Sequence, residues 1–168
     1  MSGIFKKVVL ASVLVGSFAF AGGHVEVLGT STLHDWKMQS SDLKVDMLSQ
    51  DNKPTKIEVS MVAQSLKSTE GKSMDKNAYK AMKVTPIDVI TYVMKSYDPA
   101  TNTLVGIINI NGKDVDVSTK PKIVNDKEIE GSFKTKITDF GMVPPKFMLG
   151  AMKVGDEITI NYKVTPDN

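Results

Sequence analysis

Apolar and polar residues alternate along most of this chain, and this period-two pattern restricts its fold more than any other feature. Near the C-terminus, Ile158, Ile160, Tyr162 and Val164 alternate with polar neighbours, and residues 129–137 repeat the pattern. Such alternation is typical of strands that bury one face and expose the other. The sequence therefore predicts an all-β fold.

Turn-forming residues separate the alternating runs. Asn111-Gly112 suits a type I′ hairpin, which needs positive φ at both central residues. Residues 51–54, 98–102 and 125–127 are further hairpin loops. Successive hairpins give an antiparallel, up-and-down order. We predict eight strands, near residues 24–31, 37–48, 55–66, 87–97, 103–111, 114–124, 128–139 and 156–164.

Long antiparallel strands with one charged face favour a sheet closed on itself, because closure removes exposed edges. We therefore predict an eight-stranded antiparallel barrel with one or two short helices, and a sandwich of shorter strands is the alternative. Residues 73–83 place Met74, Ala78, Ala81 and Met82 at helical spacing. Residues 141–153, rich in Met and Pro, are expected to cross one end of the barrel.

The N-terminus has the features of an export signal. Lys6 and Lys7 precede an uncharged run over residues 8–20, which is too short to span a bilayer as a helix. The run ends in Ala19-Phe20-Ala21, the small-x-small pattern of a signal-peptidase site. We predict a signal peptide over residues 1–21, a single domain over residues 22–168, and a periplasmic or secreted protein without a stable membrane anchor. A short membrane anchor is the alternative.

Composition argues against several classes of function. Without residues 1–21 the chain has 19 lysines, no arginine and 19 acidic residues, so it lacks the basic field that nucleic-acid binding needs. It has no cysteine and only two histidines, which disfavours thiolate catalysis and a multi-histidine metal site. We therefore expect no nucleic-acid partner, no metal and no cofactor.

An enzyme would have to use His34, which is followed by Asp35. Adjacent side chains in an extended strand point to opposite faces, so these two would not converge on one atom. No phosphate-binding loop, dinucleotide fingerprint or zinc-protease motif occurs. We predict that the protein is not an enzyme.

The inward face indicates a cavity. An eight-stranded barrel is either filled by its side chains or holds one small ligand. Several predicted inward positions are small, namely Ala63, Gly106, Thr119, Gly131 and Thr135. Residues 22–168 also contain nine methionines, which suit an apolar surface that repacks around its ligand.

The length of a bound chain can be estimated from the free energy of burial. Each buried CH₂ contributes about 0.8 kcal/mol, whereas association costs about 4–15 kcal/mol. A chain of about 20 carbons offsets that cost.

We therefore predict a protein that binds a long-chain lipid inside its barrel. The alternation and the irregular segments select eight ligand-binding residues, four along the interior and four near one mouth. The interior residues are Val45, Met61, Phe133 and Ile137, and the mouth residues are Met82, Phe140, Phe147 and Met148.

The alternative is an interaction module with a solid interior that acts through its outer surface. Ile90, Tyr92 and Met94 would then face outward, as would Val105 and Ile107 on the next strand. Strands that are apolar on both faces leave an apolar outer surface, which could form a subunit interface. This alternative therefore predicts a homodimer.

Several short motifs occur in this chain, at residues 30–36, 65–68, 74–83, 138–141, 144–145 and 155–156. In order and spacing, over nearly all of residues 22–168, they resemble the motifs of the YceI-like family. The resemblance implies a lipocalin-like barrel of eight antiparallel strands with helical additions, usually exported. It also implies a polyisoprenoid or similar long-chain lipid as ligand. We predict that such binding serves transport, storage or stress protection.

Overall fold

Strands make up most of residues 22–167, the part of the chain that this computed structural model describes; the predicted signal peptide lies outside it. In chain order the strands are β1 (Gly23–Gly29), β2 (Trp36–Ser40), β3 (Lys44–Gln50), β4 (Lys53–Val62), β5 (Lys67–Ser68), β6 (Val89–Asp98), β7 (Thr103–Ile110), β8 (Lys113–Thr119), β9 (Lys122–Asn125), β10 (Glu128–Lys136), β11 (Lys146–Phe147), β12 (Met152–Lys153) and β13 (Glu157–Val164).

These strands form two large antiparallel sheets and one small hairpin. The six-stranded sheet has the order β5-β2-β1-β13-β10-β9, and the five-stranded sheet has the order β3-β4-β6-β7-β8. The strands β11 and β12 pair only with each other within the described chain. The predicted type I′ turn at Asn111-Gly112 is present, with φ values of 52° and 78°.

The β-rich fold with one α-helix in the described chain agrees with the prediction, but the closed eight-stranded barrel does not. No backbone ladder joins the two large sheets in residues 22–167. Two of the eight predicted strands are each split into two, so that one half pairs in each sheet. The predicted strand 37–48 becomes β2 and β3, and the predicted strand 114–124 becomes β8 and β9.

Local chemistry explains both splits. At the first corner the Ser40 hydroxyl accepts the backbone N–H of Asp42 at 3.2 Å, which offers the backbone an alternative to the ladder. At the second corner Pro121 has no N–H to donate. The chain crosses between the sheets at these corners, and the two sheets enclose a common interior.

One α-helix is described, α1 (Lys72–Met82), close to the predicted range 73–83. It ends at Lys83, which adopts the left-handed conformation with φ 56°. The hydroxyl of Tyr79 lies 2.9 Å from the carbonyl of Gln64 and 2.7 Å from that of Leu66, which fixes α1 to the chain that follows β4. No helix in the described residues is long and apolar enough to cross a bilayer.

The interior is packed at one end. A cluster of buried side chains from both sheets closes this end, and Ile129 at its centre is fully buried. The cluster consists of Leu43, Val45, Met47, Ile57, Leu104, Ile129 and Val164. We call this the inner end of the molecule.

The outward assignment of three β6 residues is wrong. Ile90, Tyr92 and Met94 all pack inward against the core, whereas Val89 and Val93 are 45% and 46% exposed. Both faces of β6 carry apolar residues, so the alternation does not tell which face is buried. The interior face of the five-stranded sheet is therefore more aromatic than the sequence pattern suggested.

Candidate functional site

A cavity of about 640 Å³ lies between the two sheets and extends toward α1 and residues 142–154. This volume falls within the range of about 300–1,000 Å³ that is usual for small-molecule sites. Aliphatic, aromatic and methionine side chains form most of its wall. The interior is therefore not solid, and the alternative that required a solid interior is wrong on that point.

Seven of the eight residues selected from the sequence line this cavity, and their role in binding remains a prediction. They come from both sheets, from α1 and from the irregular segments near the C-terminus. The seven are Met61, Met82, Phe133, Ile137, Phe140, Phe147 and Met148.

Val45 is the exception. It is 3% exposed and belongs to the cluster at the inner end, but it does not line the cavity. Leu43, two residues earlier on the same face, does line the cavity. Alternation identifies the buried face correctly but does not show where packed core ends and open space begins, so the assignment of Val45 to the cavity wall is wrong.

Hydroxyl groups reach the apolar cavity near its inner end. Thr119 Oγ1 lies 3.3 Å from the hydroxyl of Tyr162 and 3.3 Å from the carbonyl oxygen of Ser132. A carbonyl only accepts, so both contacts are satisfied when Thr119 donates to Ser132 and Tyr162 donates to Thr119. The hydroxyl of Tyr92 also reaches this wall and makes no hydrogen bond with another described residue. Tyr92, Tyr162 and Thr119 form the hydroxyl cluster.

Burial raises the pKa of Tyr92 well above its ordinary value, and the nearby phenol of Tyr162 raises it further. Burial also raises the pKa of Tyr162, while the hydrogen bond with Thr119 partly opposes that shift. Both phenols are therefore neutral at physiological pH. Tyr92 retains a proton that it can donate to an oxygen atom inside the cavity.

Two glycines hold the tyrosine rings in place. A Cβ on Gly131 would lie 2.4 Å from the hydroxyl oxygen of Tyr162, the residue directly opposite it on β13. A Cβ on Gly106 would lie 2.4 Å from ring atoms of Tyr92. These glycines were predicted to leave empty space in the interior, whereas tyrosine rings pack directly against both of them.

The other end of the cavity opens between α1 and the segment over residues 141–154. The predicted apolar stripe of Met74, Ala78, Ala81 and Met82 faces the cavity, so α1 covers part of the opening. Met148 lines the cavity and is also 70% exposed. This end is the mouth.

His34 and Glu70 also reach the lining, and they pair with each other at the mouth, with His34 Nδ1 3.3 Å from Glu70 Oε1. His34 Nδ1 also lies 2.8 Å from the carbonyl oxygen of its neighbour Asp35. No group of three or more potential metal ligands occurs in residues 22–167. The pair joins the loop over residues 30–35 to the segment just before α1.

Several wall residues were not predicted from the sequence, for different reasons. Tyr162 lies on a face that alternation had identified, so its position could have been found. Tyr92 could not be placed, because β6 is apolar on both faces. Trp36 follows a loop that had no periodic signal, and its ring covers Gly29 on β1.

Comparisons with solved structures agree with this architecture. BcnA of Burkholderia cenocepacia is 13% identical, with a TM-score of 0.63 over 84% of this chain and 94% of that protein. A mutant of the CJ YceI protein is 19% identical, with a TM-score of 0.60 over 76% of this chain and 81% of that protein. A second CJ mutant, solved with a monobromobimane guest, is 18% identical with a TM-score of 0.58. It covers 76% of this chain and 82% of its own.

At these identities the similarity shows the fold alone. The search of curated proteins found no match. The family model of the YceI-like domain, in contrast, matches residues 9–165, nearly the whole sequence. The chain therefore belongs to the YceI-like family.

Proposed function

We propose that this protein is an exported carrier that binds a long-chain apolar lipid, a polyisoprenoid or a similar chain, between its two sheets. Membership of the YceI-like family supports lipid binding at the level of the family. Transport, storage and protection against stress are the roles that such a carrier would serve. The seven wall residues selected from the sequence would contact the chain, with Phe133 and Ile137 inside and Met148 at the mouth.

The observation that carries this proposal is the cavity of about 640 Å³ with an apolar wall. Each CH₂ moved from water into such a wall contributes about 0.8 kcal/mol. The cost of association, about 4–15 kcal/mol, is then offset by about 5 to 19 buried CH₂ groups. A long hydrocarbon chain supplies that number, whereas a small polar metabolite does not.

The wall also constrains the polar group of the ligand. A charged group at the inner end would be buried without a partner of opposite charge, because the hydroxyl cluster there is neutral. A single neutral oxygen, as in an alcohol or a carbonyl, could instead accept a hydrogen bond from Tyr92. We infer that any charged headgroup stays at the mouth.

Export and partners follow from the same proposal. YceI-like proteins are typically periplasmic, and the segment over residues 1–21 carries the composition of a signal peptide. The ligand is lipid, with no cofactor, no nucleic-acid partner and no stable anchor in the membrane. The protein binds its ligand without a chemical step, since His34 is engaged in the contacts at the mouth.

A homodimer stays a prediction, now with a better-defined surface. Val93 lies directly opposite Ile107 on the outer face of the five-stranded sheet, and Val93 is 46% exposed. This patch, rather than Ile90, Tyr92 and Met94, would form the interface. Sedimentation velocity distinguishes a dimer from a monomer.

The carrier proposal is tested by filling the cavity. Ala81 lines the cavity from α1, so Ala81→Trp is expected to occupy space that the ligand needs. The matched control is Ala100→Trp, because Ala100 lies in an exposed turn. We expect uptake of a fluorescent long-chain alcohol to fall at least about tenfold in Ala81→Trp and to stay unchanged in the control. Equal uptake by both variants, with both folded by circular dichroism, would refute binding in the cavity.

A further inference from the structure

Three segments surround the mouth, and we call them the rim: residues 30–35, 67–84 and 141–154. Hydrogen bonds join the first segment to the third. Ser31 forms an isolated β-bridge with Val154, and the Thr32 hydroxyl donates to the carbonyl of Ala151 at 3.1 Å. The pair of His34 and Glu70 joins the first segment to the second. Residues 30–35 are thus connected to both of the other segments of the rim.

Four large apolar side chains of the rim are exposed to solvent, among them Val143 at 78%. Leu149 is fully exposed, Met148 is 70% exposed and Leu33 is 63% exposed. Met148 and Leu149 both have positive φ, 53° and 57°, a conformation that side chains other than glycine rarely adopt. Strained backbone of this kind persists where the surrounding structure imposes it. Here it leaves two apolar side chains exposed to solvent beside the mouth.

The rim is also the positive part of an otherwise negative molecule. It contains seven lysines and three acidic residues, whereas the rest of residues 22–167 contains 12 lysines and 16 acidic residues. No rim lysine forms an ion pair within the described chain, but six of the other lysines do. The rim lysines are Lys67, Lys72, Lys76, Lys80, Lys83, Lys146 and Lys153.

We propose that the rim docks on the surface of a bilayer that contains anionic lipids, with Met148 and Leu149 inserted below the headgroups. Apolar side chains flanked by lysines are the combination that binds such an interface. Lys146 and Lys153, on β11 and β12, flank the two inserted residues. Docking in this position places the mouth against the hydrocarbon, so that a lipid reaches the cavity without crossing water. This inference rests on the proposed carrier function.

A bilayer explains the rim better than a second copy of the chain does. Two copies meeting through their rims would bring unpaired lysines against lysines, which is unfavourable. An anionic surface instead compensates all these charges together. The docking is transient, because two inserted side chains bind far more weakly than a membrane-spanning helix.

The test is cosedimentation of the purified protein with vesicles, with its N-terminus defined by intact mass. We compare vesicles of phosphatidylcholine alone with vesicles that contain phosphatidylglycerol. The test variant is Met148→Ser/Leu149→Ser. Its control is Leu48→Ser/Val124→Ser, two exposed residues on β3 and β9 away from the rim. A second pair is Lys146→Gln/Lys153→Gln, with Lys53→Gln/Lys127→Gln as control.

We expect binding to the anionic vesicles that weakens as salt is added. Both rim variants should bind at least about tenfold more weakly, while both controls bind like the parent protein. Absence of binding to anionic vesicles would overturn the docking, as would equal loss in rim and control variants. Uptake of the long-chain alcohol in detergent, without vesicles, is measured in parallel. If uptake persists while vesicle binding is absent, docking is wrong and the carrier function stands; if uptake is absent, the carrier function itself is wrong.

Discussion

At the scale of single residues, the fit between glycine and tyrosine shapes the cavity wall. Gly131→Ala would place a methyl group 2.4 Å from the hydroxyl oxygen of Tyr162, so the ring must move. We expect a loss of about 1–3 kcal/mol in the free energy of unfolding, as is usual for overpacking. Urea denaturation measures the loss. In the Tyr162→Leu background the same substitution should be much less destabilising, and an equal effect in both backgrounds would show that the ring is not the cause.

The phenol of Tyr92 gives a pH-dependent prediction. Folding raises its pKa above the ordinary value near 10, so the folded protein keeps this proton when the unfolded chain has lost it. Stability is therefore complete below about pH 10 and falls as pH rises further, by at most about 1.4 kcal/mol per pH unit for this group. Tyr92→Phe should show a shallower fall in chemical denaturation between about pH 9 and pH 11. Identical slopes in the two proteins would contradict the burial of this phenol.

Residue positions were predictable to the extent that one face of a strand was clearly polar. Phe133 and Ile137 follow charged or hydroxyl neighbours and were assigned to the interior, where they lie. Val45 was assigned to the correct face but not to the correct depth. The depth of a side chain depends on what the opposite sheet places against it, and alternation within one strand holds no information on that.

At the scale of elements, α1 is the part of the mouth most easily loosened. Tyr79→Phe removes the hydroxyl that contacts the carbonyls of Gln64 and Leu66. We expect a loss of about 1–2 kcal/mol in stability, since both carbonyls then lack this partner. Amide exchange in residues 72–82 should become faster relative to β13, as measured by mass spectrometry. Unchanged exchange in α1 would show that this hydroxyl does not hold the helix.

Element boundaries were predictable where turn chemistry was strong. The helix and the turn at Asn111-Gly112 were placed correctly. The splits at residues 41–43 and 120–121 were missed, because long alternating runs continue through both corners. A bend changes the strand with which a segment pairs, but it does not change the alternation of apolar and polar residues along that segment. The alternation that predicted a barrel therefore could not distinguish it from two separate sheets.

At the scale of the whole molecule, the two ends differ in packing and in charge. The inner end is filled by the cluster around Ile129, and the mouth carries exposed apolar side chains among unpaired lysines. The presence of an apolar interior was predictable from small inward residues and abundant methionine. Its open volume was not, because the glycines seat tyrosine rings and the void lies between elements distant in sequence.

Lipid binding in the cavity is tested most directly by mass spectrometry of lipid extracted from the purified protein, with the Ala81→Trp variant measured in parallel. We expect about one long-chain apolar molecule for each protein chain and a much smaller amount in Ala81→Trp. Protein that is free of lipid, and that also fails to take up a long-chain alcohol when one is supplied, would contradict it.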